Sequence, residues 1–321
     1  MTTLTDRSLD VGELEQHRVE LRGHCYRMLG SLFEADDAVQ ETLVKAWQGL
    51  DAFEGRSSLR SWLYRIATNV CLDHLRSRTR RALPMDLSSP LPATTAPTDV
   101  LPDAAWLEPV PTGDVVPADA DPAQRAVLTD SVRLAFVAAL QTLPARQRAV
   151  LLLREVLCMS AAEVAELLDT TVASVNSALQ RARATLASAD LQDRAPGPLQ
   201  TDEQDLLERY TRAFEAYDIT ALVALMREDA SISMPPMTLW LQGRQDLRDW
   251  YLGMGCGCQG SRLVATTANG RPAFGQYRRD PAGGHRPWSL QVLDVVDGRI
   301  AHVHHFLDES LFARFGLPAR L

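Results

Sequence analysis

Apolar residues recur along most of the first 190 positions at helical spacing. From Glu34 to Leu50, Val39, Leu43, Ala46, Trp47 and Leu50 fall on one side, while Asp36, Asp37, Gln40 and Glu41 collect opposite in pairs four apart. That acidic side fits either a solvated face or a protein interface. A second helix, about Ser58 to Arg78, gathers Leu59, Leu63, Ala67, Val70, Cys71 and Leu75 on one side. Its other stripe is Trp62, Arg65, Asn69, Asp73 and Arg76, a mixture suited to stacked bases and held phosphates, or else a helix with Trp62 half in the core. Residues 123–190 are again helical: Pro144 starts one helix, and Leu151, Leu152, Leu153, Val156 and Leu157 supply a core. Ser160 with Glu163 predicts a capping box, followed by Val164, Leu167 and Leu168. A break at Asp169-Thr170-Thr171 and a restart through Val172, Val175, Leu179, Ala182 and Leu186 has helix-turn-helix spacing, shared with plain helical hairpins. Its outward groups are Ser174, Asn176, Ser177, Gln180, Arg181 and Arg183.

The period changes after residue 200. Leu206, Leu207, Tyr210, Phe214 and Tyr217 predict one amphipathic helix, Ile219–Met226 a second and Gln245–Leu252 a third. Strands are expected over 261–265, 273–278, 289–296 and 299–306, with Asp297-Gly298 as a hairpin turn. Helices followed by an antiparallel meander imply a small α+β unit, a curved sheet wrapped on helices.

Charge refines this division. The chain of 321 residues carries a formal charge of −8, which taken whole argues against a nucleic-acid partner. Residues 1–81 balance, however, and the seven acids of residues 82–122, with no Lys or Arg, account for most of the deficit. Arg56 to Arg81 holds seven arginines against one acid, Asp73. Residues 82–122 also contain nine of the eighteen prolines, a composition that neither builds helices nor buries a core and predicts an interdomain linker. Trp106-Leu107-Glu108-Pro109 stands out inside it as an aromatic anchor fit to dock on a neighbouring domain. A second boundary is expected at 193–198, where Pro-Gly-Pro ends any helix. No apolar run is long enough for a bilayer, and the first thirty residues lack an apolar core of the signal-peptide kind, so a cytoplasmic chain without membrane attachment is expected. Five cysteines scattered over three regions are expected to be reduced thiols.

Two motifs carry a resemblance. Asp36-Asp-Ala-Val-Gln-Glu-Thr42 followed by Phe53 to Arg76 resembles sigma region 2, and Leu143-Pro-Ala-Arg-Gln-Arg148 leading to Ser174-Val-Asn-Ser-Ala-Leu-Gln-Arg-Ala-Arg183 is similar to sigma region 4. In order and spacing the chain resembles, over about residues 14–321, the extracytoplasmic-function (ECF) sigma factors that carry a SnoaL-like (NTF2-like) C-terminal domain. The resemblance implies two all-α sigma domains, a region 2 bundle at 1–81 and a region 4 helix-turn-helix at 123–192, with the linker at 82–122 and an α+β cone at 199–321. It implies that Asp36, Asp37, Gln40, Glu41 and Trp47 bind the β′ clamp helices of core RNA polymerase, with the β flap as a further contact. Phe53 to Arg60, including Arg56, Ser57, Ser58 and Arg60, would capture a flipped base of the −10 element. Trp62, Arg65, Asn69, Asp73 and Arg76 would line the melted strand. The helix from Val172 would enter the −35 major groove, with Ser174, Asn176, Ser177 and Gln180 reading bases and Arg181 and Arg183 on phosphate. Asn176 and Ala178 depart from the family's usual basic residues, so phosphate affinity there should be modest.

The cone is expected to modulate the sigma domains, through intramolecular contacts made by it and the Trp106 motif, most simply by autoinhibition. Its polar candidates are His302, His304, His305, Asp218, Asp294 and Cys256-Gly-Cys258. Alternation puts at most two of the histidines on one face, and 255–260 reads as a flexible loop, so neither metal nor cofactor is expected, and no catalytic residue. The competing reading is a SnoaL-like isomerase or hydrolase fused to a DNA-binding module.

Overall fold

In the computed structural model the described residues are 11–53, 55, 57–77, 80–96, 100–188 and 203–321. Arg56, Arg78 and the expected boundary at 193–198 lie outside them. The chain forms two compact units, one drawn from residues 1–79, 113–132 and 139–189, the other from 80–112, 133–138 and 190–321.

The first unit is helical. It contains α1 (Val11–Glu15), α2 (Arg18–Leu29), α3 (Leu32–Gln48) and α4 (Leu59–His74). After α5 (Thr112–Val115), α6 (Pro122–Asp130) and the end of α7 (Leu134–Gln141), whose first residues are counted with the second unit, come α8 (Ala145–Leu151), α9 (Ala161–Leu167) and α10 (Val172–Ser188). Polar side chains set the starts: Ser31 and Ser58 accept from the backbone N–H groups of Glu34 and Ser61, both at 3.1 Å, and Ser160 and Glu163 close the expected capping box. Leu21, Leu32, Val39, Leu63, Ala67 and Val70 form the core beneath α2, α3 and α4. Val164, Val175, Leu179 and Ala182 hold the helix-turn-helix together. Two apolar positions depart from the predicted faces. Trp47 is 60% exposed because Ala46 takes the inward place beside it, and Val172 is 44% exposed in the first turn of α10.

The second unit contains α11 (Glu203–Ala216), α12 (Ile219–Ala224) and α13 (Arg244–Leu252), a short α14 (Ser310–Arg314), and six strands. These are β1 (Met226–Ser233), β2 (Trp240–Gln242), β3 (Arg262–Ala268), β4 (Arg271–Arg279), β5 (His285–Val296) and β6 (Arg299–Phe306), in the order β2-β1-β6-β5-β4-β3. β3 to β6 are the expected antiparallel meander, while β1 and β2 are additional and β1 runs parallel to β6. Asp297 and Gly298 both take positive φ (51° and 68°), as the two-residue hairpin requires.

Residues 80–112 correct the expectation of a segment unable to bury a core. Trp106, Leu107 and Val110 are buried, Ala93 joins the core of the cone, and short helical turns occur at Pro84–Asp86 and Asp103–Ala105. The segment pairs with backbone the sheet leaves open: Leu91 N donates to Trp240 O (2.9 Å) on edge strand β2, and Trp240 Nε1 donates to Ser88 O (2.9 Å). At the β3–β4 turn, Val110 and Asn269 exchange bonds, Val110 N to Asn269 Oδ1 and Asn269 N to Val110 O, each 3.0 Å. Trp106 Nε1 donates to Leu101 O (3.3 Å), and Arg81 Nη1 donates to Trp106 O (2.6 Å) while lying 3.5 Å from Glu108. Proline-rich, acidic composition is compatible with this packing because an extended chain needs few hydrogen bonds once a sheet edge supplies partners.

Candidate functional site

Three faces of the helical unit bear the predicted residues. On α3, Phe33, Asp37, Gln40, Val44 and Trp47 follow one another at four- and three-residue steps, and all five are exposed. Phe33, Val44 and Trp47 are 41%, 42% and 60% exposed, an apolar stripe that α3 leaves uncovered. Asp36 and Glu41 belong to internal pairs instead. Arg22 Nε lies 2.5 Å from Asp36 Oδ1, and Glu41 meets Lys45 at 2.7 Å and His74 at 3.2 Å. The hydrogen bond from Lys45 holds the Glu41 carboxyl below the usual carboxylate range.

Along α4 and the 3-10 turn that continues it (Leu75–Ser77), Arg65, Asn69, Asp73 and Arg76 are exposed at successive turns, and Arg76 is 3.1 Å from Asp73. Trp62 is half-buried and packs against Phe53 in a tilted arrangement, with ring centroids 4.9 Å apart and planes 39° apart. A Cβ on Gly49 would come within 3.3 Å of the Trp62 ring, so this glycine keeps the indole in place. Arg60 does not join the stripe. Its Nε donates to Glu20 Oε2 (2.7 Å) and its guanidinium lies over Tyr64, on another side of the helix. Ser57, Ser58, Trp62 and Arg65 line a cleft of about 290 Å³ whose other wall carries Glu163 and Glu166 of α9. The bond to Ser160 keeps the Glu163 carboxyl below its ordinary range, so the acid facing this cleft is ionised at neutral pH. Sequence reasoning gave Glu163 a capping role alone; only the fold reveals the second.

On α10, capped by Thr171 Oγ1 accepting from Ser174 N (3.2 Å), the residues Ser174, Asn176, Ser177, Gln180, Arg181 and Arg183 are all exposed on the side away from Val175, Leu179 and Ala182. Arg183 pairs with Glu155.

Buried guanidinium groups join these helices. Arg27 Nε donates to Ser131 Oγ (2.8 Å) and its Nη2 to Leu128 O (3.1 Å), and burial pushes its pKa down to about 10. Arg148 of α8 donates to Met28 O at the C-terminal end of α2, a carbonyl that the helix itself leaves unpaired, and to Gln141 Oε1 (2.6 Å).

In the cone, Asp218 caps α12 by accepting from Ala221 N (2.9 Å). His302 and His304 lie on one sheet face, each ring Nδ1 bonded to a serine, Ser231 at 2.5 Å and Ser233 at 2.9 Å. Asp294 lies 3.6 Å from His304 and 3.4 Å from Arg271. Burial opposes its ionisation, but His304, His302 and Arg271 outweigh that and hold its carboxyl below the usual range. His305 points to the other face. Cys256 is exposed, Cys258 buried, and no three His, Cys, Asp or Glu side chains among the described residues group as a metal site. Nor is any helix among them long and apolar enough to cross a membrane.

The helical segments define the class, that of a sigma-70 factor: residues 14–81 match sigma-70 region 2, residues 133–186 match sigma-70 region 4, and residues 207–303 match the SnoaL-like domain. The chain is 48% identical over 313 residues to the ECF RNA polymerase sigma factor SigG of Mycobacterium tuberculosis, covering 96% of this chain and 83% of that one. It is 30% identical to SigJ of the same organism over 97% of this chain and 96% of the relative. The crystal structure of SigJ superposes with a TM-score of 0.64 over 96% of this chain and 100% of that one, at 20% identity in the structural alignment. The chain belongs to the ECF RNA polymerase sigma factor family.

Proposed function

We propose that this chain binds core RNA polymerase through the exposed stripe of α3 and directs it to promoters by two separate DNA faces. The α4 stripe with the Ser57-Ser58 turn receives the melted −10 strand, and the outer face of α10 reads the −35 major groove. The observation that carries this reading is α10: every side chain predicted to meet DNA is exposed on one face, opposite a fully apolar one. On α3 the apolar Phe33, Val44 and Trp47 supply the contact area, with Asp37 and Gln40 between them, while Asp36 and Glu41 position the helix through Arg22, Lys45 and His74. On α4, Trp62 offers a stacking surface and Arg65, Asn69 and Arg76 polar contacts; Asp73 orients Arg76, and Arg60 supports the helix from behind.

The packed helical unit is a resting state. Two elements about 25 base pairs apart lie roughly 85 Å apart along B-form DNA, so the region 2 and region 4 helices must separate to occupy both. In the packed unit, Glu163 and Glu166 form the wall of the cleft opposite Trp62 and Arg65, where their carboxylates would repel a nucleic-acid phosphate. The cone restrains separation by holding the chain between the two regions. Residues 80–112, free, could extend roughly 110 Å, whereas docked on β2 and the β3–β4 turn their ends are fixed. Trp106, Leu107 and Glu108 pair with Arg81 and Ala82, which ties the two ends of this segment to each other while it is docked; Pro109 follows them.

Run-off transcription with purified core polymerase on a promoter library tests the reading. Specific start sites are expected, lost with Arg181→Ala through the upstream element and with Trp62→Ala through the melted one. Absence of start-site selection, both with the full chain and after removal of residues 203–321, would overturn it. Unchanged promoter output on that removal would overturn the restraint alone.

A further inference from the structure

The cone contains a cavity of about 180 Å³, and its lining is divided into apolar walls and a small polar end. Met234, Met237, Met254 and Leu307 with the indoles of Trp250 and Trp288 form the walls. Gly255 lets the chain pass Trp250, since a Cβ there would stand 2.7 Å from the indole nitrogen. Deeper in the sheet the polar side chains satisfy one another. Tyr210 Oη donates to Gln291 Oε1 (2.8 Å), Gln291 Nε2 and Ser289 Oγ donate to Gln276 Oε1 (3.0 and 2.9 Å), and Gln276 Nε2 donates to Ser261 Oγ (3.0 Å).

Three lining residues keep buried polar atoms without partners: His305 Nε2, Tyr251 Oη and Arg278 Nε. His305 is only 4% exposed and Tyr251 only 1%. Arg278 lies with its guanidinium carbon 3.5 Å from the centroid of Trp288 and donates from Nη2 to Cys258 Sγ (3.3 Å). It has no carboxylate partner among the described residues. A buried donor left unpaired costs about 1–3 kcal/mol, so three of them around one cavity mark it as shaped for an acceptor. Water satisfies such groups poorly where thioethers and indoles make up most of the wall.

We propose that this cavity binds a small aromatic monocarboxylic acid, the carboxylate on Arg278 and His305 and the ring between the indoles and methionines. The acceptor character follows from the donors: a guanidinium, a phenol and an imidazole. Burial, with His304 and Arg278 nearby, pushes the His305 pKa down to about 3, so the ring is neutral at neutral pH, and its Nε2–H tautomer is the one that would donate to the carboxylate. The single fixed charge sets a single anionic group. The flat apolar walls and the volume set a ring of benzoate or cinnamate size. Trp288, stacked on Arg278, couples occupancy to a tryptophan signal. This assignment is independent of the promoter reading, because it concerns binding to the cone alone.

The test is titration of the full chain with benzoate, salicylate and cinnamate, each against its neutral primary amide, by tryptophan fluorescence and calorimetry. Saturable one-to-one binding of at least one acid is expected, with its amide weaker by about tenfold or more, the worth of one charge-assisted hydrogen bond. Arg278→Gln is expected to abolish the preference for the acid and Arg278→Lys to retain part of it, melting curves confirming both folds. No saturable binding of any of the three acids overturns the proposal, as does equal affinity for acid and amide. Should Arg278→Gln not fold, the acid and amide comparison in the unaltered chain decides. Folded Arg278→Gln that still prefers the acid also refutes it.

Discussion

Ser131→Ala separates the stability of the packed helical unit from its activity. Ser131 Oγ accepts from Arg27 Nε at 2.8 Å and donates to Leu128 O at 2.8 Å, and both Ser131 and Arg27 are almost fully buried. Removing the hydroxyl leaves a buried cationic N–H without its acceptor, at a cost of about 1–3 kcal/mol. That cost falls on the packed state alone, because an opened Arg27 is hydrated with either residue. The packed-to-open equilibrium therefore shifts by about 5- to 150-fold toward the open form. If only the open form engages polymerase, the apparent Kd is the intrinsic Kd divided by the open fraction, and affinity tightens by that factor until the open form dominates.

The assay pairs a thermal melt with anisotropy titration of labelled protein against core polymerase. The melting temperature is expected to fall while the affinity rises. An ordinary destabilising substitution weakens both, so the opposite signs are diagnostic. A lower melting temperature with unchanged or weaker polymerase binding refutes the claim that packing competes with function.

Trp62→Ala and Arg76→Ala should impair promoter opening more than initial duplex binding, measured by permanganate footprinting beside gel shift; equal loss of both steps removes their assignment to the melted strand. Trp106→Ala deletes a buried indole and should cost about 3–5 kcal/mol in the packing of residues 80–112, read as faster proteolysis there and higher run-off activity; unchanged cleavage would count against docking. His24 is buried against Tyr64 and bonded to Thr68 Oγ1 at 3.0 Å, and burial, with Arg27 close by, pushes its pKa down to about 3. In this window the unfolded state takes up the proton first, so stability is lost as pH falls below about 6.5, by about 2 kcal/mol between pH 7 and 5. His24→Gln should flatten that slope in melts across the same range, and an unchanged slope would assign the acid sensitivity elsewhere.

Legibility from sequence followed the range of the interactions. Helices α3, α4, α9 and α10 were readable because their periodicity, caps and motifs are local. Strand β1 was missed because Arg227-Glu228-Asp229 interrupts its alternation, where the register with β6 shifts between Met226 and Ser231, and β2 has three residues. The Asn269-Gly270 turn was readable in principle, as both residues take the positive φ that this pair supplies. Trp47 stood at the edge of the apolar arc, where spacing alone cannot decide between core and surface. Arg60 was placed with its neighbours by sequence, whereas a carboxylate forty positions earlier, Glu20, draws it away.

The segment 80–112 carries this reasoning furthest. Its composition describes what the chain would do alone, and alone it has too little apolar area to fold. What orders it is supplied from outside: the open edge of β2, and the Asn269 amide at the β3–β4 turn. A connector built this way stays packed only while its receiving surface is intact. On the proposed reading, any change that loosens β2 or the turn returns to the connector the extension that two promoter contacts would require. Asn269→Gly isolates this: it keeps the positive φ of the turn (54°), removes the acceptor for Val110 N and leaves every predicted polymerase- and DNA-binding side chain in place. Leaving that buried N–H unpaired costs about 1–3 kcal/mol, a weakening of docking by about 5- to 150-fold. Proteolysis within 80–112 should accelerate, and run-off activity should rise with it. Faster cleavage without a gain in activity would show that the connector's docking is structural and restrains nothing.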